Sequence, residues 1–173
     1  MVKVGAVFTL EHPLARGFEA RTLHLGTHHG ASRMWDVLVV EDDLLIADLL
    51  RGALEAEGYR VSGVARTVAE AKESAAQHPP DFAVIDIRLA NGDLGTEFGA
   101  YLRSSTTDPG ILYSTGNGAG VELSKLSGDA VMTKPYRLRD IARGLEIIEQ
   151  LRRLGQTKQS FPRNFRLLDL PAS

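Results

Sequence analysis

Asp81-Phe82-Ala83-Val84-Ile85-Asp86 sets four apolar residues between two acids. A short continuous run of this kind, with β-branched members, reads as a strand buried on both faces. Asp86 stands where that strand gives way to a loop, the edge of an open α/β sheet at which ligands bind. Alone, such a carboxylate would do no more than cap the next turn. Other runs in the chain change that reading by bringing polar residues to the same edge.

Upstream, Val37-Leu38-Val39-Val40 is a second continuous apolar run and ends in Glu41-Asp42-Asp43. The segment from Leu44 to Glu57 has helical spacing, with Leu45, Leu49 and Ala53 or Leu54 on one face and Gly58 as its stop. Asp43 is the expected N-cap of this helix. Arg60 to Ala65 is a short strand. Thr67-Val68-Ala69-Glu70 is a capping box opening a helix to about Gln77, which Pro79-Pro80 ends. Downstream, Ala90 to Gly95 is loop and a helix is expected from about Thr96 to Arg103. Ile111-Leu112-Tyr113-Ser114-Thr115 is a fourth strand and Tyr113 is a core residue by alternation. A glycine-flanked, loose helix is expected from Ala119 to Leu126. Ala130 to Thr133 is the fifth strand, Lys134-Pro135 ends it, and a last helix runs from Arg139 to Leu154 with Ile141, Leu145, Ile148 and Leu151 inward.

Five strands alternating with five helices predict an α/β fold, a doubly wound parallel sheet. The expected organisation is an N-terminal extension over 1–33, a domain over 34–155 and a C-terminal tail over 156–173. In the extension Val2, Val4, Ala6, Phe8 and Leu10 alternate like a strand face, and His24, His28 and His29 read as solvated loop histidines. The tail is unusually apolar, with Phe161, Phe165, Leu167, Leu168 and Leu170.

The 173 residues are 43% hydrophobic and 24% charged, a globular composition. A net charge of −2 gives no case for nucleic acid or an anionic membrane surface. No cysteine is present, which excludes disulfides, zinc–thiolate sites and thiol catalysis. No apolar run approaches the roughly 20 residues that span a bilayer, and no secretory pattern opens the chain, so a cytoplasmic protein is expected.

Glu41 and Asp42, then Asp86, then Thr115, then Lys134 close four strands at one edge. Three carboxylates meeting there repel one another unless a cation binds, and hard oxygen donors suit Mg²⁺. A carboxylate, a hydroxyl and an ammonium beside a metal are the set that holds a phosphoryl group, with Asp86 as the nucleophile.

With these motifs in order, residues 36–154 resemble a response-regulator receiver domain of two-component signalling. Glu41-Asp42 resembles the family's acidic pair, Asp86 falls on its phosphorylated aspartate, Thr115 on its Thr/Ser, and Lys134-Pro135 on its Lys-Pro, where the peptide is usually cis. The resemblance implies a five-stranded sheet of order 2-1-3-4-5 and Mg²⁺ held by Asp42, Asp86 and the main-chain carbonyl of Arg88, with Glu41 assisting through water. It further implies phosphorylation on Asp86 by a histidine kinase or histidine phosphotransfer protein. Self-phosphotransfer and autodephosphorylation, not enzymatic turnover, would be the only chemistry. Tyr113-Ser114-Thr115-Gly116 resembles single-domain receivers of alphaproteobacterial stress signalling, whose pattern is Phe-Ala-Thr-Gly-x-Tyr. Gly118 stands at the final Tyr place. Two further departures are Ala90 in a loop position usually held by Pro, and Val131 at the usual aromatic switch. The expected switch is therefore the segment from Gly116 to Leu126.

Nothing beyond Leu154 reads as a helix-turn-helix, so output through an unknown downstream protein, or as a phosphate sink, is expected from a monomer or weak homodimer. A Mg²⁺-dependent phosphatase of the haloacid dehalogenase type is one alternative, but it wants a second acid where Arg88 stands. A pseudo-receiver acting only as a binding module is the other, but it would be expected to lose the acidic pair or the lysine.

Overall fold

The computed structural model describes residues 8–9, 34–116 and 127–168. Its strands are β1 (Phe8–Thr9), β2 (Asp36–Val40), β3 (Arg60–Ala65), β4 (Phe82–Asp86), β5 (Gly110–Thr115), β6 (Ala130–Thr133), β7 (Gln156–Thr157) and β8 (Phe165–Leu167). Its helices are α1 (Leu44–Ala56), α2 (Val68–Gln77), α3 (Gly95–Arg103) and α4 (Leu138–Leu154). The main sheet runs β3-β2-β4-β5-β6-β8. Counted from Asp36, its first five members have the expected 2-1-3-4-5 order, and all pair in parallel.

Alternation along the buried strands divides the core between the two faces. Val37, Val39, Phe82 and Val84 point to the side covered by α1 and α4, joining Leu50, Leu54, Ile141, Leu145 and Ile148. Leu38, Val40, Ala83 and Ile85 point to the side of α2 and α3, joining Ala71, Phe98 and Leu102. Ile141, Leu145, Ile148 and Leu151 of α4 are all buried, as their spacing predicts. Tyr113 is fully buried under α3, where Gly99 makes room for its ring. Asp43 caps α1 as expected, its Oδ1 accepting from the amides of Leu45 at 2.9 Å and Ile46 at 3.2 Å. Thr67 accepts from the amide of Glu70, whose carboxylate accepts in turn from the amide of Arg66 rather than that of Thr67 itself.

Two expectations need correction. The buried stripe of α1 is Ala47, Leu50 and Leu54, whereas Leu45 and Leu49 are 69% and 49% exposed, and Leu44 is exposed beside them. α1 carries leucine on more than one side, and the inward position nearest the strands holds the small Ala47. Size alone therefore pointed to the wrong stripe. Next, residues 156–168 are not a separate tail. β7 pairs antiparallel with β1, and β8 pairs antiparallel with β6 as a sixth strand, burying Phe165 and Leu168. Four α-helices lie among the described residues, and the expected helix over Ala119–Leu126 falls outside them. So do the alternation of Val2 to Leu10 apart from Phe8–Thr9, His24, His28, His29 and Leu170.

At the edge of the sheet away from the strand C-termini, Asp129 is buried between two arginines. Arg103 and Arg152 each bind both Asp129 and Asp108, and the amide of Ile111 donates to Asp129 Oδ2 at 2.7 Å. This paired arrangement ties α3 and α4 to the start of β5 and satisfies a carboxylate that burial would otherwise penalise.

Leu50→Ala and Phe165→Ala are each expected to cost about 2–5 kcal/mol, whereas Leu45→Ala should stay within about 0.5 kcal/mol. Urea unfolding of the three variants checks both corrections, since a free tail would leave Phe165→Ala silent.

Candidate functional site

The C-terminal edge of the sheet is held together past the last strand residues. The amide of Glu41 donates to Ala65 O at 3.0 Å, that of Ile87 to Ser114 O at 2.9 Å, and that of Lys134 to Thr115 O at 2.7 Å. These bonds continue the ladder by one step and fix the backbones from which the polar side chains project. Gly95, the first residue of α3, lies so close that a Cβ would sit 2.0 Å from the Asp86 carbonyl oxygen. Only glycine lets this helix start against the end of β4.

Lys134 connects the site. Its Nζ lies 2.5 Å from Asp86 Oδ2 and 3.2 Å from Glu41 Oε2, so one ammonium joins β6 to the ends of β4 and β2. Asp86 Oδ1 accepts the amide of Arg88 at 3.0 Å. Glu41, Asp86 and Thr115 are buried, and Lys134 is partly exposed. Burial pushes the Glu41 carboxyl above its ordinary value and the Asp86 charge adds to this, with Lys134 opposing. Burial alone would lower the Lys134 pKa, but its hydrogen bond to Asp86 and the charges of Asp86 and Glu41 raise it to about 12.

The sequence-derived set is thus brought together only in part. Lys134, Asp86 and Glu41 are in direct contact, and Thr115 ends the intervening strand. Asp42 is half-buried next to Glu41, and its carbonyl accepts from Arg66 Nε at 3.3 Å. Arg88 contributes its amide to Asp86, and its backbone bridges to Leu94. Among the described residues, no three acidic or histidine side chains form a ready-made metal cluster. The ammonium of Lys134 accounts for this where Glu41 and Asp86 are concerned, because it binds both. The Glu41 and Asp86 carboxylates against one ammonium nevertheless leave an excess of oxygen donors, which with Asp42 next in the chain suits a hard divalent cation such as Mg²⁺ in donor type.

Two neighbours were not singled out from sequence. Ser114 Oγ and the Tyr136 hydroxyl are 2.8 Å apart, joining the residues next to Thr115 and Pro135. Asn164 Nδ2 donates to the Pro135 carbonyl at 2.7 Å. Tyr136 could have been noticed as an aromatic following Lys134-Pro135, but Asn164 has no local signal. The loop after Asp86 lacks the usual proline at Ala90, yet it is braced otherwise. Leu89 N–H donates to Asp93 O at 3.0 Å, and Asp93 Oδ2 accepts the amide of Val68 at 3.1 Å, at the start of α2.

Residues 37–146 match the family model of the response regulator receiver domain. The chain belongs to this family. It is 33% identical over 131 residues to the KDP operon transcriptional regulatory protein KdpE of Escherichia coli, covering 75% of this chain and 56% of that protein. It is 34% identical over 119 residues to the photosynthetic apparatus regulatory protein RegA of Cereibacter sphaeroides, covering 67% and 62%. The chain therefore spans little more than half the length of these relatives. The crystallised signal receiver domain of a modulated diguanylate cyclase from Desulfovibrio desulfuricans superposes with a TM-score of 0.63 at 29% identity, over 70% of this chain and 98% of that one. The receiver domain of the PhyR response regulator from Erythrobacter litoralis, solved by NMR, gives a TM-score of 0.56 at 23% identity, over 76% and 98%, and shares the fold. The chain is thus the receiver domain of a response regulator in two-component signalling. No helix among the described residues is long and apolar enough to cross a membrane.

The Lys134 contacts carry a pH signature. A lysine whose pKa rises on folding adds stability that is complete below its ordinary value of 10.5 and is lost as pH climbs through about 12. In metal-free buffer, Lys134→Met should cost about 1–3 kcal/mol near neutrality. The deficit relative to wild type should shrink between pH 10.5 and 12. Denaturant unfolding across that range checks this, and a deficit undiminished at the alkaline end refutes it.

Proposed function

We propose that this receiver accepts a phosphoryl group on Asp86 from a phosphohistidine of a kinase or phosphotransfer protein, and that Mg²⁺ supports the reaction. The contact of Lys134 with Asp86 at 2.5 Å is the observation that carries this reading. An Asp86 carboxylate oxygen attacks phosphorus, the phosphorus–nitrogen bond breaks, and the departing imidazole takes a proton from solvent. The ammonium of Lys134 already lies where negative charge accumulates on the transferred group, and Thr115, one strand away, donates its hydroxyl to another phosphoryl oxygen. Asp42, Asp86 and the carbonyl of Arg88 would hold the metal directly, with Glu41 acting through water. When bound, Mg²⁺ offsets the mutual repulsion of the carboxylates and of the incoming phosphoryl group. The protein acts as a stoichiometric acceptor that hydrolyses its own acyl phosphate, not as an enzyme on an external substrate.

The exposed Leu44 and Leu45 follow Asp42 and Asp43 directly in the chain, and the exposed Leu49 lies about one helical turn further on. A protein donor reaching Asp86 meets this apolar shoulder, which suits a partner with its own apolar face. Output by protein contact, or by draining phosphoryl groups from a shared relay in the cytoplasm, is the accompanying proposal.

Acetyl phosphate with Mg²⁺ should add one phosphoryl group by intact-mass spectrometry, and none to Asp86→Asn. Labelling of that variant at full strength rejects the assignment. No label on the wild type favours a receiver that only binds partners.

Asp42→Ala should weaken Mg²⁺ binding at least tenfold, roughly the loss of one charged ligand. The metal-free fold should be as stable as wild type or more so, because a like charge has gone. Titration calorimetry and urea unfolding read the two effects, and unchanged Mg²⁺ affinity rejects the role.

A further inference from the structure

β6 delivers Lys134 to the site from one end and is covered along its outer edge by β8. The pairing sets Met132 opposite Phe165, Val131 opposite Arg166 and Ala130 opposite Leu167. Just before β8, a single residue reaches both sides of Lys134. The amide of Thr133 donates to Asn164 O at 3.0 Å, and Asn164 Nδ2 donates to Pro135 O at 2.7 Å. The third constraint on this turn is the bond from the Lys134 amide to Thr115 O.

We propose that Asn164 is a positioning residue for Lys134, its two bonds to Thr133 and Pro135 making the segment from Phe161 to Leu168 part of the phosphoryl site. The inference rests on the phosphoacceptor reading above and extends it to a region outside the matched receiver domain.

The physical need is clear from the lysine itself. A flexible four-carbon stem carries a point charge and has no geometric preference of its own, so its reach is set by where its backbone lies. Pro135 has no N–H, which leaves its carbonyl as the one main-chain group through which that residue can be held. Asn164 supplies that hold with its side chain and holds Thr133 with its backbone.

Asn164 is in turn anchored away from the carboxylates. The amide of Phe165 closes a turn on Pro162 O at 3.1 Å. The Phe165 ring lies against Gly144 of α4, where an added Cβ would meet it at 3.2 Å, and packs edge-to-face on Phe161 at 5.3 Å between centroids. Leu168 is buried, and its amide donates to Asp129 O at 2.9 Å. The clamp is thus fastened to α4 and to the entry of β6, neither of which carries a proposed metal ligand.

The separation of roles gives the test. Lys134 contacts the phosphoryl group but not the metal, so loss of the clamp should weaken phosphoryl mimicry and spare Mg²⁺. With the full-length chain and saturating Mg²⁺, Asn164→Ala is expected to weaken beryllofluoride binding roughly five- to tenfold, the cost of about one hydrogen bond. Its Mg²⁺ affinity should stay within about twofold of wild type. Asn164→Asp keeps the shape but turns a donor into an acceptor facing a carbonyl, and should lose at least as much. In a Lys134→Met background, Asn164→Ala should add no further loss, which a merely structural contact would not produce. Thermal melting identifies variants that remain folded; if Asn164→Ala does not, Asn164→Asp carries the comparison.

Equal beryllofluoride affinity in a folded Asn164 variant overturns the inference. So does a parallel loss of Mg²⁺ binding, or an undiminished effect in the Lys134→Met background. If the wild type itself does not bind beryllofluoride with Mg²⁺, the phosphoacceptor reading fails and takes this one with it. Wild-type binding with an unaltered Asn164 variant defeats only the clamp.

Discussion

The ion pair of Lys134 with Asp86 and Glu41 is the constraint around which the C-terminal edge of this sheet is arranged. Strands in a sheet stand about 4.8 Å apart, so β4 lies roughly 10 Å from β6, and β2 further still. Only a long cationic side chain can cross the end of β5 and reach both acids. Because the carboxylates are buried, an unpaired charge there would be costly, and Glu41 responds with an upward shift of its pKa. The site is therefore balanced but short of positive charge. It is stable enough to fold with one ammonium, and still able to gain from a metal or from the rearrangement that a phosphoryl group would bring.

The strands and their polar ends were legible in sequence because the information is local. Continuous apolar runs mark buried parallel strands, and their last residues fall at one edge whatever the loops do. Asp43 and Thr67 were legible as caps for the same reason, since a cap acts within three residues of itself. The inward face of α1 was not. Leu44, Leu45, Leu49, Leu50 and Leu54 offer more than one apolar stripe, and only packing against the sheet selects that of Ala47, Leu50 and Leu54. β8 escaped notice because it is only three residues long, and the single alternation of Phe165, Arg166 and Leu167 is too short to mark a strand. What orders it is the open edge of β6, a partner some thirty positions earlier that no local window contains. Asn164 is invisible on the same ground.

Two departures from the family pattern have physical counterparts. The loop after Asp86 has Ala90 where proline would stiffen it, and its rigidity comes from the hydrogen bonds of Leu89, Asp93 and Val68. Those bonds also attach the loop to the start of α2, a coupling that proline alone would not give. Val131, at the aromatic switch position, is buried in the same cluster as Leu168. The C-terminal segment thus contributes to closing the region into which a ring would have to move. Absence of the aromatic and presence of the extra strand are consistent with one another.

A sixth strand also changes what the edge of the sheet can do. In an open sheet the last parallel strand offers unpaired amides and carbonyls to any passing chain. Here β8 takes that row for itself, so edge-to-edge pairing through β6 requires its prior removal. The strand that β8 covers is also the one that delivers Lys134. Under the clamp, β8 docked on β6 and Lys134 held at the acids are two descriptions of one conformation. Coupling between sites is reciprocal, so whatever draws Lys134 more firmly into the site must hold β8 more firmly to β6 by the same free energy. A phosphoryl group on Asp86 would in that case be reported at Phe161 and Phe165, on the face shared by α4 and β8. The message would leave through an element appended to the receiver fold, without any aromatic side chain turning over at Val131.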